Sequence, residues 1–198
     1  MAEAGRRGVI SVEAVTGRAI ERWLGALAEL RIGVFREYPY LYAGTHDYER
    51  SYLARYAASP QHFIVLARDG DRVVGAATAM PLAASEPEVI AALAGFADTF
   101  YFGESVLERG YRGRGIGHRF FDAREAHARS CGATTLAFCA VDRPADHPRR
   151  PPDYVSHDAF WTRRGYARRP DLTATFTWRD LDDVDETAKP MTFWISSL

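Results

Sequence analysis

The sequence predicts an α/β domain, with a mixed sheet of about seven strands covered by helices on both faces. Apolar runs rich in β-branched and aromatic residues alternate with segments whose apolar residues recur at helical spacing. Turn-forming residues separate most of these segments. The chain of 198 residues suits one domain with its own core, so we assign residues 1–198 to a single domain.

The first part of the chain predicts a strand, two helices and a hairpin. These segments are the strand Val9–Val15, a helical pattern from Ile20 to Val34, the helix Tyr48–Ala58, and the hairpin strands Phe63–Ala67 and Val73–Met80. The hairpin is the clearest of them, because the turn residues Asp69-Gly70-Asp71 join two β-rich runs.

The second part alternates helices and strands. These segments are the helix Glu86–Phe96, the strand Thr99–Leu107, the helix Gly115–Cys131, the strand Thr134–Val141, the helix Tyr154–Arg164, and the strands Leu172–Trp178 and Met191–Ile195. In the helix Gly115–Cys131 the predicted buried stripe is Ile116, Phe120, Ala123, His127 and Cys131. Gly132 follows as a terminator of that helix.

Charge and composition exclude several classes of protein. The formal net charge is −1, whereas a nucleic-acid binder normally shows a basic excess. Two cysteines are too few for a disulfide framework and favour a reducing cytoplasm. The polar segment 1–7 predicts no signal peptide. No run approaches the roughly 18 apolar residues of a membrane span, so we expect a soluble cytoplasmic protein.

Four glycines stand within the ten residues from Arg109 to His118, between an apolar strand and an amphipathic helix. Glycine adopts positive φ at little steric cost and lets the backbone approach a ligand. Free N–H groups at a helix N-terminus bind anions. We interpret Arg112 to His118 as a phosphate-binding loop, here called the cradle, to which Arg112 and Arg114 add positive charge. The alternative is a flexible surface turn.

The spacing excludes two common phosphate loops. No Gly-Lys-Ser/Thr follows, so this is not a Walker loop, and the third glycine comes one residue too early for the dinucleotide fingerprint. Arg-x-x-Gly-x-Gly does fit, at Arg112, Gly115 and Gly117. With this motif the chain resembles the GCN5-related N-acetyltransferase (GNAT) superfamily, and Phe160-Trp161 with Gly165-Tyr166 is similar to the second half of a later helix of that family.

The resemblance is strongest over residues 63–178 and implies a mostly antiparallel sheet whose two central strands splay apart. It implies acetyl-CoA (coenzyme A) as co-substrate, held by Arg112, Gly113, Arg114, Gly115, Ile116, Gly117 and His118, with Phe160 and Trp161 nearby. Backbone N–H groups at Val106 and Leu107 would polarise the thioester, and the spacing fits either of the two as the donor. The implied activity is direct transfer of an acetyl or other acyl group to an amine.

The resemblance also implies a carboxylate on the strand before the cradle, and Glu104 is the acidic residue there. Its apolar neighbours would withdraw it from water and make it a stronger base. The alternative is a structural charge at a strand kink beside Gly103, paired with an arginine. For the general acid the family often uses a tyrosine, but Trp161 stands at that position and cannot serve. Tyr154 is the candidate acid, and core packing is its alternative.

The acceptor remains open at this point. Tyr38, Tyr40 and Tyr42 either wall an acceptor pocket for a small-molecule or peptide amine or form a core cluster. Asp142, Asp146, His147 and His157 match no standard ligand spacing, so we predict no metal. Cys139 is interpreted as a core thiol. The apolar strand Met191–Trp194 either pairs across a homodimer or completes the sheet. A non-catalytic acyl-CoA sensor is the alternative function, suggested by Trp161.

Overall fold

The structure is a computed structural model, described here for residues 9–198. The segment 1–7, in which no signal peptide was predicted, lies outside the described residues. Eight strands form one sheet: β1 Ser11–Thr16, β2 Phe63–Asp69, β3 Arg72–Pro81, β4 Thr99–Tyr101, β5 Ser105–Leu107, β6 Thr135–Val141, β7 Ala167–Trp178 and β8 Thr187–Ser197. Five α-helices accompany them: α1 Leu24–Phe35, α2 His46–Ala54, α3 Pro87–Ala92, α4 Ile116–Ser130 and α5 Asp158–Arg163.

The sheet confirms the predicted fold class. Its order is β1-β2-β3-β4-β6-β8-β7, with β5 paired to β3. Among the described strands, β4 and β6 run parallel and the other pairs run antiparallel. Helix α4 packs on one face through Ile116, Phe120 and Phe121, whereas α1 and α2 cover the other face through residues such as Leu27 and Leu53.

The predicted strand Thr99–Leu107 is interrupted, and this interruption creates the splay. Strand β4 pairs with β6 as far as Tyr101↔Ala137, and Phe102 adds one more bond through its N–H to the Ala137 carbonyl at 2.8 Å. The chain then bulges through Gly103 and resumes as β5, which follows β3 instead of β6. A gap therefore opens between β5 and the second half of β6. The division also explains why the sheet has eight strands instead of seven.

Three other sequence-based assignments need correction. The last helix begins at Asp158, so Tyr154 lies in the preceding loop. The two final strands are longer than predicted, because they pair with each other across a bulge between Arg169 and Thr173. In α4 the buried stripe runs Ile116, Phe120, Arg124 and Ala128, so His127 and Cys131 lie beside it, half-buried.

Glycines end or begin elements at two predicted places. Gly70 has a φ of +60° in the β2–β3 turn, and Gly132 has a φ of +80° just after α4. Both values lie in the left-handed region that glycine tolerates best. The hairpin and the C-terminal end of α4 are thus located where the sequence predicts them.

Candidate active site

The bulge between β4 and β5 carries Glu104 to the edge of the gap. The Thr78 N–H donates to the Glu104 carbonyl at 3.0 Å, and the Glu104 N–H donates to Thr78 Oγ1 at 3.2 Å. The second bond replaces an ordinary strand-to-strand bond, because the bulge moves the Glu104 N–H out of line with the Thr78 carbonyl. The Glu104 side chain consequently points to the face covered by α1 and α2.

Gly103 makes room for a ring of hydroxyl groups around Glu104. The Tyr56 hydroxyl donates to Thr78 Oγ1 at 3.0 Å, and the Tyr52 hydroxyl donates to Glu104 Oε2 at 3.1 Å. A Cβ on residue 103 would lie 2.6 Å from Tyr56 Oη and 2.7 Å from Thr78 Oγ1. Burial and then the charge of Glu104 raise the pKa of Tyr52 well above its ordinary value, so this phenol stays protonated as a donor.

The Glu104 carboxylate lies in an ion pair. Its Oε1 is 2.7 Å from Arg31 Nη1, and only 9% of the residue is exposed. This is the arrangement that the structural alternative for Glu104 predicted. The catalytic interpretation requires a position beside the gap, and the Glu104 backbone stands just before β5, where the chain leaves β6.

The cradle presents a run of unpartnered backbone donors. Gly113 and Gly115 have φ values of +74° and +76°, and Gly115 is the N-cap of α4 with no side chain to cap the helix. Within the described part of the chain, no acceptor meets the N–H groups of residues 113–118. These groups and the positive end of the helix dipole converge on one exposed site suited to an anion.

The cradle's arginines brace the loop rather than point freely into it. Arg112 donates from Nε to the Leu107 carbonyl at 2.9 Å and from Nη1 to Glu37 Oε2 at 2.8 Å. Arg114 Nη2 donates to the Gly110 carbonyl at 2.6 Å. Arg112 thereby joins the cradle to the loop that contains the tyrosines.

Two other predicted cradle residues, Gly117 and His118, lie beside Phe160 of α5. The His118 ring lies 4.9 Å from the Phe160 ring, and its Nδ1 is 3.2 Å from Arg164 Nη1. A Cβ on Gly117 would lie 3.7 Å from the Phe160 ring, an ordinary contact. Ile116 is buried in the core below the cradle. Phe160 therefore supports the start of α4 from the side.

The pairing of β5 with β3 shows that the N–H groups of Val106 and Leu107, the two candidate oxyanion donors, face opposite ways. Glu104 and Glu108 make backbone bonds to β3, at Thr78 and Val74 respectively. Since successive residues of an antiparallel strand alternate in direction, the Val106 N–H also faces β3 and the Leu107 N–H faces the gap. Leu107 is thus the better placed of the two.

The tyrosine loop 37–44 is fixed at the opposite side of the gap by Arg143. This guanidinium donates to the Pro39 and Tyr40 carbonyls, each at 2.8 Å, and forms a two-point pair with Asp180. The Tyr40 ring stacks on Trp178 at 6.0 Å. Burial and neighbouring groups including Cys139, Glu104 and Tyr154 raise the pKa of Tyr40. Tyr40 therefore acts both as a packing residue and as a neighbour of the candidate site.

Tyr154 and Trp161, the two residues considered for the general acid, have different surroundings. The Tyr154 ring meets Tyr38 edge to face at 4.7 Å, and burial raises the pKa of its phenol. Trp161 packs 5.1 Å from Trp194 and 5.0 Å from Phe138. The structure thus brings Tyr154 to the tyrosine loop, while Trp161 contributes to the core.

Three buried charged residues at the site escaped the sequence analysis: Arg31, Glu49 and Arg124. Arg124 Nη1 donates to the carbonyls of Thr78 and Glu104, both at 3.3 Å, and burial lowers its pKa to about 10. Arg124 thus supplies hydrogen-bond donors to carbonyl groups beside the bulge, where the strand is interrupted. The sequence did carry a signal for both arginines. Arg124 follows Phe120 by four residues and Arg31 follows Leu27 by four residues, so each lies on the same helix face as a buried apolar residue.

Two searches of the described residues give negative findings. Between residues 9 and 198 no helix is long and apolar enough to cross a membrane. Over the same range no three His, Cys, Asp or Glu side chains gather as metal ligands would. Asp142, considered above as a ligand, instead accepts hydrogen bonds from Thr192 and Arg168.

Comparison with known proteins extends the likeness. A structure of ribosomal-protein-alanine N-acetyltransferase from Brucella melitensis aligns over 95% of this chain and 99% of its own, with a TM-score of 0.63 and 15% identity. The protein yncA from Salmonella typhimurium, solved with its cofactor acetyl-CoA, gives a TM-score of 0.60 at 13% identity, over 96% and 95% of the two chains. The PaiA N-acetyltransferase of Thermoplasma acidophilum, in complex with coenzyme A, gives a TM-score of 0.57 at 10% identity. The alignment covers 96% of this chain and 99% of the PaiA chain.

These identities are low, so the structures show the shared fold alone. No curated protein matches the sequence. The profile of the acetyltransferase (GNAT) family, however, matches residues 27–151, which is more than half of the chain. This chain belongs to the GNAT acetyltransferase family.

Proposed function

We propose that the chain is an acetyl-CoA-dependent N-acyltransferase that moves an acetyl or other acyl group directly to an amine. One observation carries the proposal: Glu104 stands where β5 leaves β6, and the unpartnered N–H groups of residues 113–118 follow the end of the same strand β5. The N–H groups are an anion site and Glu104 is a proton acceptor. The acceptor would be a small molecule or a peptide amine.

The donor side uses the cradle. The pyrophosphate of coenzyme A would accept hydrogen bonds from the N–H groups of Gly113 to His118, and the pantetheine arm would enter the gap beside β6. Solved relatives that hold acetyl-CoA or coenzyme A share this fold, which supports the assignment. Gly113 and Gly115 would set the loop's shape, because their positive φ values are costly for other residues.

The acceptor side needs a base, because an alkylamine with an ordinary pKa near 10.4 enters protonated at neutral pH. Glu104 would take this proton, directly or through a water molecule. The neutral amine then attacks the thioester carbonyl, and the Leu107 N–H would stabilise the oxygen as it gains negative charge. Tyr154 is the candidate that returns a proton to the leaving thiolate.

Direct transfer is favoured over an acyl-enzyme intermediate. The available thiol near the gap, Cys139, lies 3.2 Å from the Tyr101 hydroxyl, and burial raises its pKa to about 12. A thiol with so high a pKa supplies little thiolate at neutral pH and is a poor nucleophile. Cys139→Ser should therefore retain turnover.

The test is Glu104→Gln in an assay of coenzyme A thiol release across amine classes, with coenzyme A affinity measured by calorimetry. We expect turnover to fall about 100-fold or more with unchanged cofactor affinity, since a positioned base contributes that much. Glu108→Gln is the matched control. Glu108 directly follows β5, as Glu104 directly precedes it, but Glu108 pairs with Arg72 at the surface.

Two other results would change the assignment. Tight acetyl-CoA binding without thiol release for any amine would favour the sensor function, which the packing of Trp161 in the core also suggests. No acetyl-CoA binding would contradict both functions. Tyr154→Phe tests the acid: a loss of turnover that is smallest at high pH is expected if the phenol donates a proton.

A further inference from the structure

Three buried charged side chains meet beside the gap, and we call them the Arg31 cluster: Arg31 of α1, Glu49 of α2 and Glu104 of the bulge. They are 8%, 0% and 9% exposed. Arg31 contacts Glu49 through Nε and Glu104 through Nη1. One cation thus lies between two carboxylates that come from distant parts of the chain.

The charges of the Arg31 cluster do not balance. Burial opposes the charge of Arg31, but Glu104, Tyr52 and Glu49 outweigh this effect and raise its pKa well above the ordinary value. With both carboxylates ionised the cluster carries one net negative charge, and an uncompensated charge away from water is costly.

The cluster also has unused hydrogen-bonding capacity. Glu49 Oε1 is buried and accepts no hydrogen bond from any described residue, and Glu104 Oε1 has only the contact with Arg31. Burial, then the charge of Glu49 and a side-chain hydrogen bond to Glu49, raise the pKa of Tyr42, so this phenol lies beside the carboxylate. By geometry this contact leaves Glu49 Oε1 without a hydrogen bond. Both carboxylates can thus accept a further donor.

Three arginines on neighbouring segments are already engaged with acidic residues. Arg55 pairs with Glu86, and Arg143 forms its two-point pair with Asp180. Arg112, on the cradle side, pairs with Glu37. A ligand carboxylate placed here would face two like charges, whereas a ligand ammonium group would neutralise the cluster and donate hydrogen bonds to it.

We propose that the acceptor is a cationic amine that carries no carboxylate beside its amino group, and that Glu49 is a positioning residue which supplies the second negative charge. The inference rests on the proposed function and names the substrate class of its acceptor site. Cation recognition and proton removal then use the same cluster.

The proton balance is complete. An N–H bond of the ammonium group breaks as its proton passes to Glu104, which leaves the cluster neutral with Glu49 still ionised. The amine lone pair forms the C–N bond, and the C–S bond of the thioester breaks. Tyr154 protonates the departing sulfur and regains its proton from the second amine N–H, so the products are the amide and the free thiol, and Glu104 returns its proton to water.

The first test compares matched ligands that differ by one carboxylate: tyramine with tyrosine, and cadaverine with lysine. Affinity is measured by calorimetry on the full chain saturated with coenzyme A, so that turnover is not required. We expect the amine of each pair to bind about 100-fold more tightly, because juxtaposed like charges cost several kcal/mol. Equal affinities, tighter binding of the amino acids, or no binding of any ligand would overturn the proposal.

The second test is Glu49→Gln, with Glu29→Gln as the matched charge change at an exposed position of α1. We expect Glu49→Gln to weaken amine binding about tenfold with unchanged coenzyme A affinity, whereas Glu29→Gln should leave amine affinity unchanged. The melting temperature of Glu49→Gln should fall as well, because removing one partner of a buried ion pair is destabilising. A lower melting temperature with unchanged amine affinity would show Glu49 to be a structural counter-ion only. Because neither readout uses turnover, both separate this proposal from a failure of the proposed function.

Discussion

Gly103 approaches Tyr56 so closely that a Cβ on residue 103 would lie 2.6 Å from the tyrosine hydroxyl oxygen. Real Cβ atoms do not come so near, so a side chain here must displace Tyr56, Thr78 or the bulge itself. The position of Glu104 relative to the gap thus depends on the absence of a side chain at its neighbour.

Gly103→Ala should lower stability by about 1–3 kcal/mol, the usual cost of overpacking, and reduce turnover by moving Glu104. The measurement is the denaturant midpoint together with thiol release. Adding Tyr56→Phe removes the nearest clashing atom, so the double variant should lose less than the sum of the two single losses. Strictly additive losses would show that the clash with Tyr56 does not cause the effect.

Gly115→Ala should weaken coenzyme A binding. No atom lies within 4 Å of the added Cβ, so the cost comes from the φ of +76°, where an L-residue pays roughly 1 kcal/mol. Calorimetry with coenzyme A measures the loss. Gly110→Ala is the control, because it also has open space but no positive φ. Equal effects at the two positions would contradict a role for the loop's shape.

Arg143→Ala should release the tyrosine loop. Arg143 and Asp180 are mostly buried, with side chains 9% and 13% exposed, so removing one partner should cost about 3–5 kcal/mol. The Michaelis constant for the acceptor should rise, because the tyrosine loop is expected to line the acceptor site, and the affinity for coenzyme A should stay unchanged. Arg149→Ala removes an exposed pair with Asp182 and should cost about 0–1 kcal/mol. Equal stability of the two variants would show that Arg143 does not hold the tyrosine loop in place.

Alkaline pH should unfold the protein as its buried tyrosines ionise. Burial is the largest cause that raises the pKa of Tyr52, Tyr56 and Tyr101. Below about pH 10 both the folded and unfolded states keep these protons, and the contribution to stability is complete. Above that pH the unfolded chain ionises first, so stability falls as pH rises. Tyrosinate absorbance should therefore rise together with the loss of circular dichroism; ionisation of all tyrosines without unfolding would contradict this.

Much of the donor side was predictable because its signals are local. Gly113 and Gly115 of the cradle, Gly70 of the hairpin turn and the terminator Gly132 each act within a few residues, and all four have positive φ values. The splay was predictable only through the family resemblance, since Gly103 indicates a kink in the strand but not that the chain changes its pairing partner there.

The acceptor side was less predictable, because its residues meet across long sequence distances. Arg31, Glu49 and Glu104 come together only after α1, α2 and the bulge have packed. A charged residue in an apolar stripe is ordinarily assigned to the surface, so the sequence analysis did not predict that Arg124 and Arg31 are buried. It placed His127 in the buried stripe of α4 instead of Arg124. The start of α5 was placed too early because loop residues near Tyr154 continue its pattern by chance.

The free N–H groups from Gly113 to His118 have a consequence for how this chain tolerates mutation. Every residue except proline carries the same main-chain donor, so the proposed grip on the cofactor is nearly independent of which side chains the loop bears. The positive φ values at Gly113 and Gly115, the bracing hydrogen bonds of Arg112 and the burial of Ile116 restrict the choice at those positions. Substitutions at the other positions of the cradle should be nearly silent for the donor, so drift there and adaptation to a new acceptor can proceed separately.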